Sequence, residues 1–592
     1  MDSTQTSSTD WETSRATDRI ASGLGWPRKR CISCVWTDRG VFYIVHRLMK
    51  RSAQRSPNPD RLYLPAIGGA KRREIPISKS LLVSWMLFLS AGLFLSLMTP
   101  LGEGLDESWH FAYVQHVAQR HTVPLGNSKY VSKEIELFLR NHPGSRSLHS
   151  QFPVVQTYED YWAQRTEDRE AMDRTISDLR FNGTFQEAET PLAWQYESNQ
   201  PPLYYALTAP VFSLISNWFS FANTFLLIRI WTVLLASLVV PAMWVLSGFV
   251  FDQRGLREAA VLLVVVFPGL YPGVIRVAND ALTAALACWL FAALVAYLKT
   301  ERRSYLFAAA GFMVAGLWSK AFYIPILGGT VLGLLSFRKV RPALLILAAS
   351  ALGAPWYVIN YRFSGSLTGL SETVIEKVTL SMSLQSLWML DWENLAKVLR
   401  SSHIWIGNWS LLGVRSWWYQ VISWIFLLAL LGFIRKPGRL IDRTIRPLLV
   451  IYLGMLTALV YYATQVFVHK GISVAEGWYL ASFIPIEAVL VVAGAHALMT
   501  VRARWLLALL AICCLGLSVY CGAFVAFPYY AGITQHNPSG SLMTFHPSIS
   551  DFPLMASRLL RHHPAIPDIL PWLLLLNFAT IGIYRILKPT PQ

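Results

Sequence analysis

The sequence predicts an all-α polytopic integral membrane protein with about 12 transmembrane helices, in a range of about 11 to 13. Apolar runs near 20 residues recur from Ser80 to Leu587, each close to the length a helix needs to cross about 30 Å of hydrocarbon. Only 15% of residues are charged and mean hydropathy is +0.38, against about 25% charged in soluble domains. Basic residues gather in the short loops between runs, the bias that orients membrane helices. Aromatics reach 13%, with 23 Trp, which suits wide interfacial belts.

The net charge of +17 would suit nucleic acid, but its distribution follows membrane topology, so no nucleic-acid partner is expected. The first 79 residues are polar and basic, with Arg28-Lys29-Arg30 and Lys71-Arg72-Arg73, and lack an apolar core of signal-peptide type. They read as a disordered cytoplasmic tail able to touch anionic lipid, or as the product of a start codon assigned too early. Residues 80–592 form the membrane domain, and its first span acts as an uncleaved anchor. Cys31 and Cys34 make one CxxC with no second pair to complete a zinc site. Cys288, Cys513, Cys514 and Cys521 read as small packing residues.

Candidate spans are residues 80–99, 225–250, 257–275, 279–298, 304–320, 322–338, 342–360, 416–434, 447–466, 478–498, 505–527 and 568–587. The apolar stretch 203–220 is ambiguous, and parity resolves it. If it does not cross, the basic loops 252–258, 299–303, 338–341, 435–446 and 502–504 share the cytoplasmic side with both termini. If it crosses, all of them face outward, against the positive-inside bias. The stretch therefore reads as a re-entrant or interfacial helix.

The outside then holds a large first loop, 101–224, with juxtamembrane helices, and further loops at 361–415, 467–477 and 528–567. The first loop carries about 15 acidic against about nine basic residues. No internal repeat is visible, which weakens an inverted-repeat transporter reading.

Two acidic strings bracket the first loop. Asp106-Glu107 follows Gly104-Leu105 about six residues past the first span, and Glu197 precedes Gln200-Pro201-Pro202-Leu203-Tyr204-Tyr205. Carboxylates beside hydrocarbon are expensive to desolvate, so such a pairing points to a site. The threading brings Asp106, Glu107, His110, Glu197, Arg276, Asp280, His403, His469, Lys470 and Glu476 to one membrane face. Carboxylates from separate segments there either hold a divalent cation or share general-base duty; solvation at an outer rim is the plain alternative. Lys320, between two apolar stretches, reads equally as a phosphate ligand or an interfacial anchor. Arg276 serves the same phosphate or neutralises Asp280.

Asp106-Glu107-x-x-His110-Phe111-x-Tyr113, ending in Val123-Pro124, resembles the first-loop motif of the C-type (GT-C) membrane glycosyltransferases. These include protein O-mannosyltransferases, lipid A aminoarabinose transferases and a related group of uncharacterised bacterial membrane proteins, the closest in pattern. Gln200-Pro201-Pro202-Leu203-Tyr204-Tyr205 is similar to their proline-proline-leucine-tyrosine-tyrosine signature. Asn279-Asp280 resembles their second acidic motif, and residues 316–320 their Gly-x-x-x-Lys stretch. The match covers residues 80 to 325 well and the remainder loosely. The later Gly-Arg-Tyr motif departs here as Gly477-Trp478-Tyr479; His469 and Lys470 are nearby substitutes for the missing arginine that the resemblance does not vouch for.

The resemblance implies a GT-C-like fold and transfer of a hexosyl or pentosyl group from a polyprenyl-phosphate or diphosphate donor to an extracytoplasmic lipid, polysaccharide or protein. It implies Asp106 as base, with Glu107, Glu197 and Asp280 orienting substrate or a divalent ion (Mg or Mn, on Asp106 and Asp280). Lys320 and Arg276 would face the phosphate. His110, Tyr204, Tyr205, Trp478 and Tyr479 would line the substrate site, with His403, His469 and Lys470 added on the threading alone, and Trp405, Trp409 and Trp478 would stack on sugar or isoprenoid or serve an aromatic belt. Membrane lipid is the other expected partner, and a bacterial inner membrane the expected location. The rival readings are a lipid or saccharide transporter or flippase, and a non-catalytic partner of a polysaccharide assembly complex.

Overall fold

The computed structural model describes residues 78–588 apart from 126–129, 189–194, 369–377, 439–441 and 501, together with the strand segments Arg61–Leu62 and Ile75–Pro76. The chain divides into Met1–Pro65 and Ala66–Gln592, and all of the described helices belong to the second unit. The rest of the N-terminal tail up to residue 77, with Cys31 and Cys34, lies outside the described residues.

Among the described residues nine helices are long and apolar enough to cross a membrane: Lys79–Met98, Phe221–Val250, Asp280–Thr300, Val340–Ser364, Ser416–Arg435, Arg446–Lys470, Gly477–Met499, Ala503–Tyr530 and Ile569–Leu587. Arg254–Val266 and Pro268–Val274 make a tenth candidate, bent by 55° where Pro268 breaks the ladder. The expected runs 304–320 and 322–338 appear as the shorter helices Arg303–Leu317 and Tyr323–Leu335. Residues 318–322 form the turn between them that carries Lys320. Each expected span thus falls on a helix, and the protein is an integral membrane protein of helical class.

The spans sort by what their side chains can touch. Asp280–Thr300 is 89% buried and rich in alanine, whereas Ile569–Leu587 is 17% buried and rich in leucine. Small residues admit close neighbours, and bulky apolar ones suit lipid. At Gly432 a Cβ would lie 1.8 Å from the Gly494 carbonyl oxygen, so two backbones cross where only glycine fits.

The first loop is ordered by the short helices Glu107–Arg120, Lys133–Asn141, Arg146–Gln151, Tyr158–Ala163 and Thr166–Asp178. Ser132, Ser145 and Thr157 cap three of them by accepting from the backbone three residues on. Trp109, Phe111, Phe138, Tyr205, Phe212, Phe221 and Phe225 form a core beneath this layer, distinct from the one inside the bundle. The helix Leu203–Ile215 has 13 residues, so at 1.5 Å per residue it spans about 20 Å, less than the hydrocarbon thickness.

Candidate active site

Asp106 sits where the chain turns from the first span into the helix Glu107–Arg120. Its φ of 60° is left-handed, a conformation costly for a residue with a Cβ. Although it stands at the helix N-cap, its side chain makes no capping bond. The carboxylate instead accepts from the Tyr196 hydroxyl.

What holds this turn is Glu107. Its Oε1 accepts from Arg229 Nε (2.8 Å) and Val277 N (2.9 Å), and its Oε2 from Arg229 Nη2 (2.6 Å), Gly102 N (3.2 Å) and Gly104 N (3.3 Å). Arg229 spends its remaining donors on the carbonyls of Ser96, Thr99 and Pro100, at 2.6 to 2.9 Å. Both side chains are buried, and every lone pair of the carboxylate is committed. Glu107 was expected among the catalytic groups; the geometry makes it a fastener that fixes its neighbour.

The second half of the site converges from three segments. Asp280, at the start of its span, accepts from Arg276 Nη2 at 2.8 Å and from Lys320 Nζ at 2.5 Å. Arg276 also donates to the Leu105 carbonyl, joining the Asp280 turn to the residue preceding Asp106. Asn279 Nδ2 donates to Gln200 Oε1 (3.0 Å) and Ser319 O (2.8 Å), while Leu203 N donates to Trp318 O (3.0 Å). The double-proline string is thereby sewn to residues 318–320 and to Asn279. Asp106 lies within electrostatic reach of Arg276, Lys320 and Asp280, and Glu197 within reach of Asp106, Lys320 and Arg276.

Burial among these groups pushes the Asp106 carboxyl above its ordinary range, while Arg276, Tyr196 and Lys320 pull it back and Asp280 adds to the rise. Glu197 is buried with no hydrogen-bond partner for Oε2 among the described residues, and burial first, then the nearby Asp106, lifts it to about 8. Adjacent carboxyls of this kind titrate as a set. His110 donates to or accepts from the Tyr205 hydroxyl at 2.7 Å; burial, then Arg276 and Lys320, holds it well below the usual imidazole range and hence neutral. Tyr113 stacks on Tyr205 with ring centroids 3.6 Å apart, and Tyr204 bonds Thr232 at 2.6 Å.

Tyr479 packs edge-on against Phe322, whose ring lies 4.9 Å from Lys320 Nζ, and Tyr479 lies within electrostatic reach of Asp106. Trp478 adjoins it. His403, Trp405 and Trp409 are engaged elsewhere. His403 gives its ring nitrogens to Glu487 Oε2 (2.8 Å) and the Gly477 carbonyl (3.2 Å), and Glu487 raises its pKa against the effect of burial. Trp405 and Trp409 are buried in the two cores rather than open to sugar or isoprenoid. His469 and Lys470 end the helix Arg446–Lys470, and His469 Nδ1 is buried without a hydrogen-bond partner among the described residues.

The donor set does not suit the expected cation. Both oxygens of Asp280 are taken by Lys320 and Arg276, leaving Asp106 without a second free carboxylate from that pair. Among the described residues no group of three or more His, Cys, Asp or Glu is placed to hold a metal. Arg276 and Lys320 place positive charge beside Asp280.

Sequence reasoning missed Arg229, Tyr196, Gln200 and Glu103. Arg229 had a signal, since an arginine inside an apolar span demands a partner. Glu103 is 1% exposed, accepts from the Tyr158 hydroxyl at 3.1 Å, and is lifted by burial to about 8. Beside the site, Leu203, Ala310, Gly311, Val314, Ala315, Trp318, Ala349 and Leu352 line an open apolar cleft of about 390 Å³.

No protein-family model matches the chain, and no curated protein matches it. Among solved structures, the chain is similar to the archaeal oligosaccharyltransferase AglB from Archaeoglobus fulgidus in complex with an inhibitory peptide and a dolichol-phosphate. The identity is 13% and the TM-score 0.34, over 86% of this chain and 56% of that one. A structure of the Archaeoglobus fulgidus oligosaccharyltransferase tethered to an acceptor peptide by a disulfide gives 11% identity and a TM-score of 0.32, with the same coverage, 86% and 56%. The chain thus spans little more than half the length of either.

Proposed function

We propose that this protein is a membrane glycosyltransferase that moves a sugar from a polyprenyl-phosphate or diphosphate donor to an extracytoplasmic acceptor. The observation that carries the reading is the meeting of Asp106 with Arg276, Lys320 and Asp280 at the ends of separate membrane segments, beside an apolar cleft. The order of the motifs along the sequence supports the same class.

The chemistry follows from the groups present. A polyprenyl phosphate is already a good leaving group, so the demands are a base for the acceptor hydroxyl and cations for the departing phosphate. Asp106 takes the hydroxyl proton as the acceptor oxygen bonds to the anomeric carbon. The bond from that carbon to the phosphate oxygen breaks, and its electron pair leaves with the phosphate. Lys320 and Arg276 meet the charge gathering there, and Asp280 holds both cations in register. Asp106 and Glu197 act on each other's protonation, so the two carboxyls work as a set. Through this step an oxocarbenium-like state gains from the nearby carboxylate.

Two further parts complete the proposal. The apolar cleft takes the first isoprene units from the lipid phase, and the helix Leu203–Ile215 enters the interface and returns. The site faces the extracytoplasmic side of a bacterial inner membrane, with both termini cytoplasmic. The test is transfer by the reconstituted protein with a panel of polyprenyl-phosphate sugars. Asp106→Asn should insert and purify like the wild type yet lose transfer; undiminished turnover by that variant would remove the base.

A further inference from the structure

The helix Leu380–Met389, in the loop between two spans, is built inside out for a segment in water. Its buried positions include Ser383 and Ser386, each 4% exposed, and Ser383 Oγ accepts from Gln465 Nε2 at 2.7 Å. Its outward positions are Leu380, Leu384 and Trp388, 72%, 53% and 92% exposed. Steps of four residues align them on one face. Met389 beside them and Trp392 at the head of the next helix are exposed as well. Apolar patches of this kind mark a surface that something covers.

Where the helix sits identifies its cover. It packs on Arg446–Lys470, a span whose outward residues Leu453 and Tyr461 are half exposed. It meets that span near Gln465, and the next helix is tied just beyond. There Asp391 N donates to Ser473 Oγ at 2.9 Å and Asn394 Nδ2 to Ser473 O at 3.1 Å. A few residues on, Tyr479 reaches Phe322 beside Lys320, so the helix lies at the membrane face that bears the carboxylate cluster. With 10 residues it extends about 15 Å, too short to cross. Charged residues Asp391, Glu393 and Lys397 follow at once, and Trp at a helix end is the side chain that favours the boundary between headgroups and acyl chains.

We infer that Leu380–Met389 lies flat in the headgroup–acyl boundary of the bilayer leaflet on the side of the site, with Leu380, Leu384 and Trp388 immersed in lipid. Its serine face grips the Gln465 end of the neighbouring span. The helix thereby ties the loop that carries His403 to the membrane surface, whatever reaction the site performs.

The test uses the full chain in lipid nanodiscs with nitroxide labels at Leu380→Cys, Leu384→Cys, Trp388→Cys and Gln385→Cys, the signal of the identically treated wild type being subtracted. All four positions are exposed, so labelling leaves the packing intact. Accessibility to oxygen relative to a water-soluble nickel chelate should be several-fold higher at 380, 384 and 388 than at 385. Equal, high chelate access at all four would put the helix in water and overturn the inference. Low access to both agents at 380, 384 and 388 would mean a protein partner covers the face, which overturns it equally.

Discussion

Arg229 grips Glu107 through two parallel hydrogen bonds of 2.8 and 2.6 Å, with neither side chain more than 1% exposed. A bidentate fork of this kind fixes orientation as well as distance. Because Glu107 also gathers three backbone amides and Arg229 three carbonyls, the pair sets the path of residues 96–107 and holds Asp106 in its left-handed turn.

Breaking that pair should unfold the region rather than retune the chemistry. Removing one partner of a buried ion pair costs about 3–5 kcal/mol. Arg229→Ala and Glu107→Ala should each lower the thermal midpoint in detergent sharply, and Arg229→Lys should restore little because it lacks the fork. An apolar pair, Glu107→Leu with Arg229→Met, should recover part of the loss. Midpoints indistinguishable from the wild type for the single variants would contradict the fastener role.

The cations beside Asp280 should behave differently. Lys320→Gln and Arg276→Gln each remove a charged hydrogen-bond donor worth about 1.5–3 kcal/mol, so kcat/KM for the lipid donor should fall about 10- to 100-fold. Adding Asp280→Asn to Lys320→Gln removes a carboxylate left with Arg276 alone and should restore part of the stability without restoring transfer. If the double variant regained activity, the lysine would serve the aspartate alone.

Stability should fall as pH rises through neutrality. Glu103 and Glu197 are lifted by burial from 4.5 to about 8, so between those values the folded state binds more protons than the unfolded chain. The stabilisation is complete below about 4.5 and is lost as pH climbs through 8. Glu103 contributes on the order of a few kcal/mol to that loss. Glu103→Gln, which keeps a group able to accept from Tyr158, should flatten the midpoint-against-pH curve between about pH 5 and 8 by about one group's share. A curve of unchanged slope would show that Glu103 titrates normally.

Gly477 carries the approach of the helix Trp392–Ile404 to the site. A Cβ there would lie 2.0 Å from the Leu399 carbonyl oxygen and 2.4 Å from His403 N, both backbone atoms. Gly477→Ala should therefore cost about 1–3 kcal/mol and loosen Trp478 and Tyr479, read as a lower midpoint together with a raised KM. Wild-type behaviour in both would mean the two segments are not clamped.

The spans were legible because long apolar runs state their own length requirement, and the gathering of Asp106, Asp280, Lys320 and the double-proline string could be read from topology and motif order. Glu107 was read as a ligand group because its partner lies 122 residues on, beyond the reach of any local pattern. Trp405 and Trp409 misled for a related reason: aromatic clusters mark cores, belts and sugar platforms alike, and only burial separates them. Both Asp280 oxygens accept from Lys320 and Arg276 rather than standing free, and composition does not tell which carboxylates already hold an arginine or a lysine.

The most direct test of the proposed donor site is mass spectrometry of the lipids that copurify with the wild-type protein and with Lys320→Gln. A polyprenyl-phosphate or diphosphate sugar should accompany the wild type and be depleted in the variant. Folded, wild-type protein that never carries such a lipid, or a variant that carries it equally, would contradict that site.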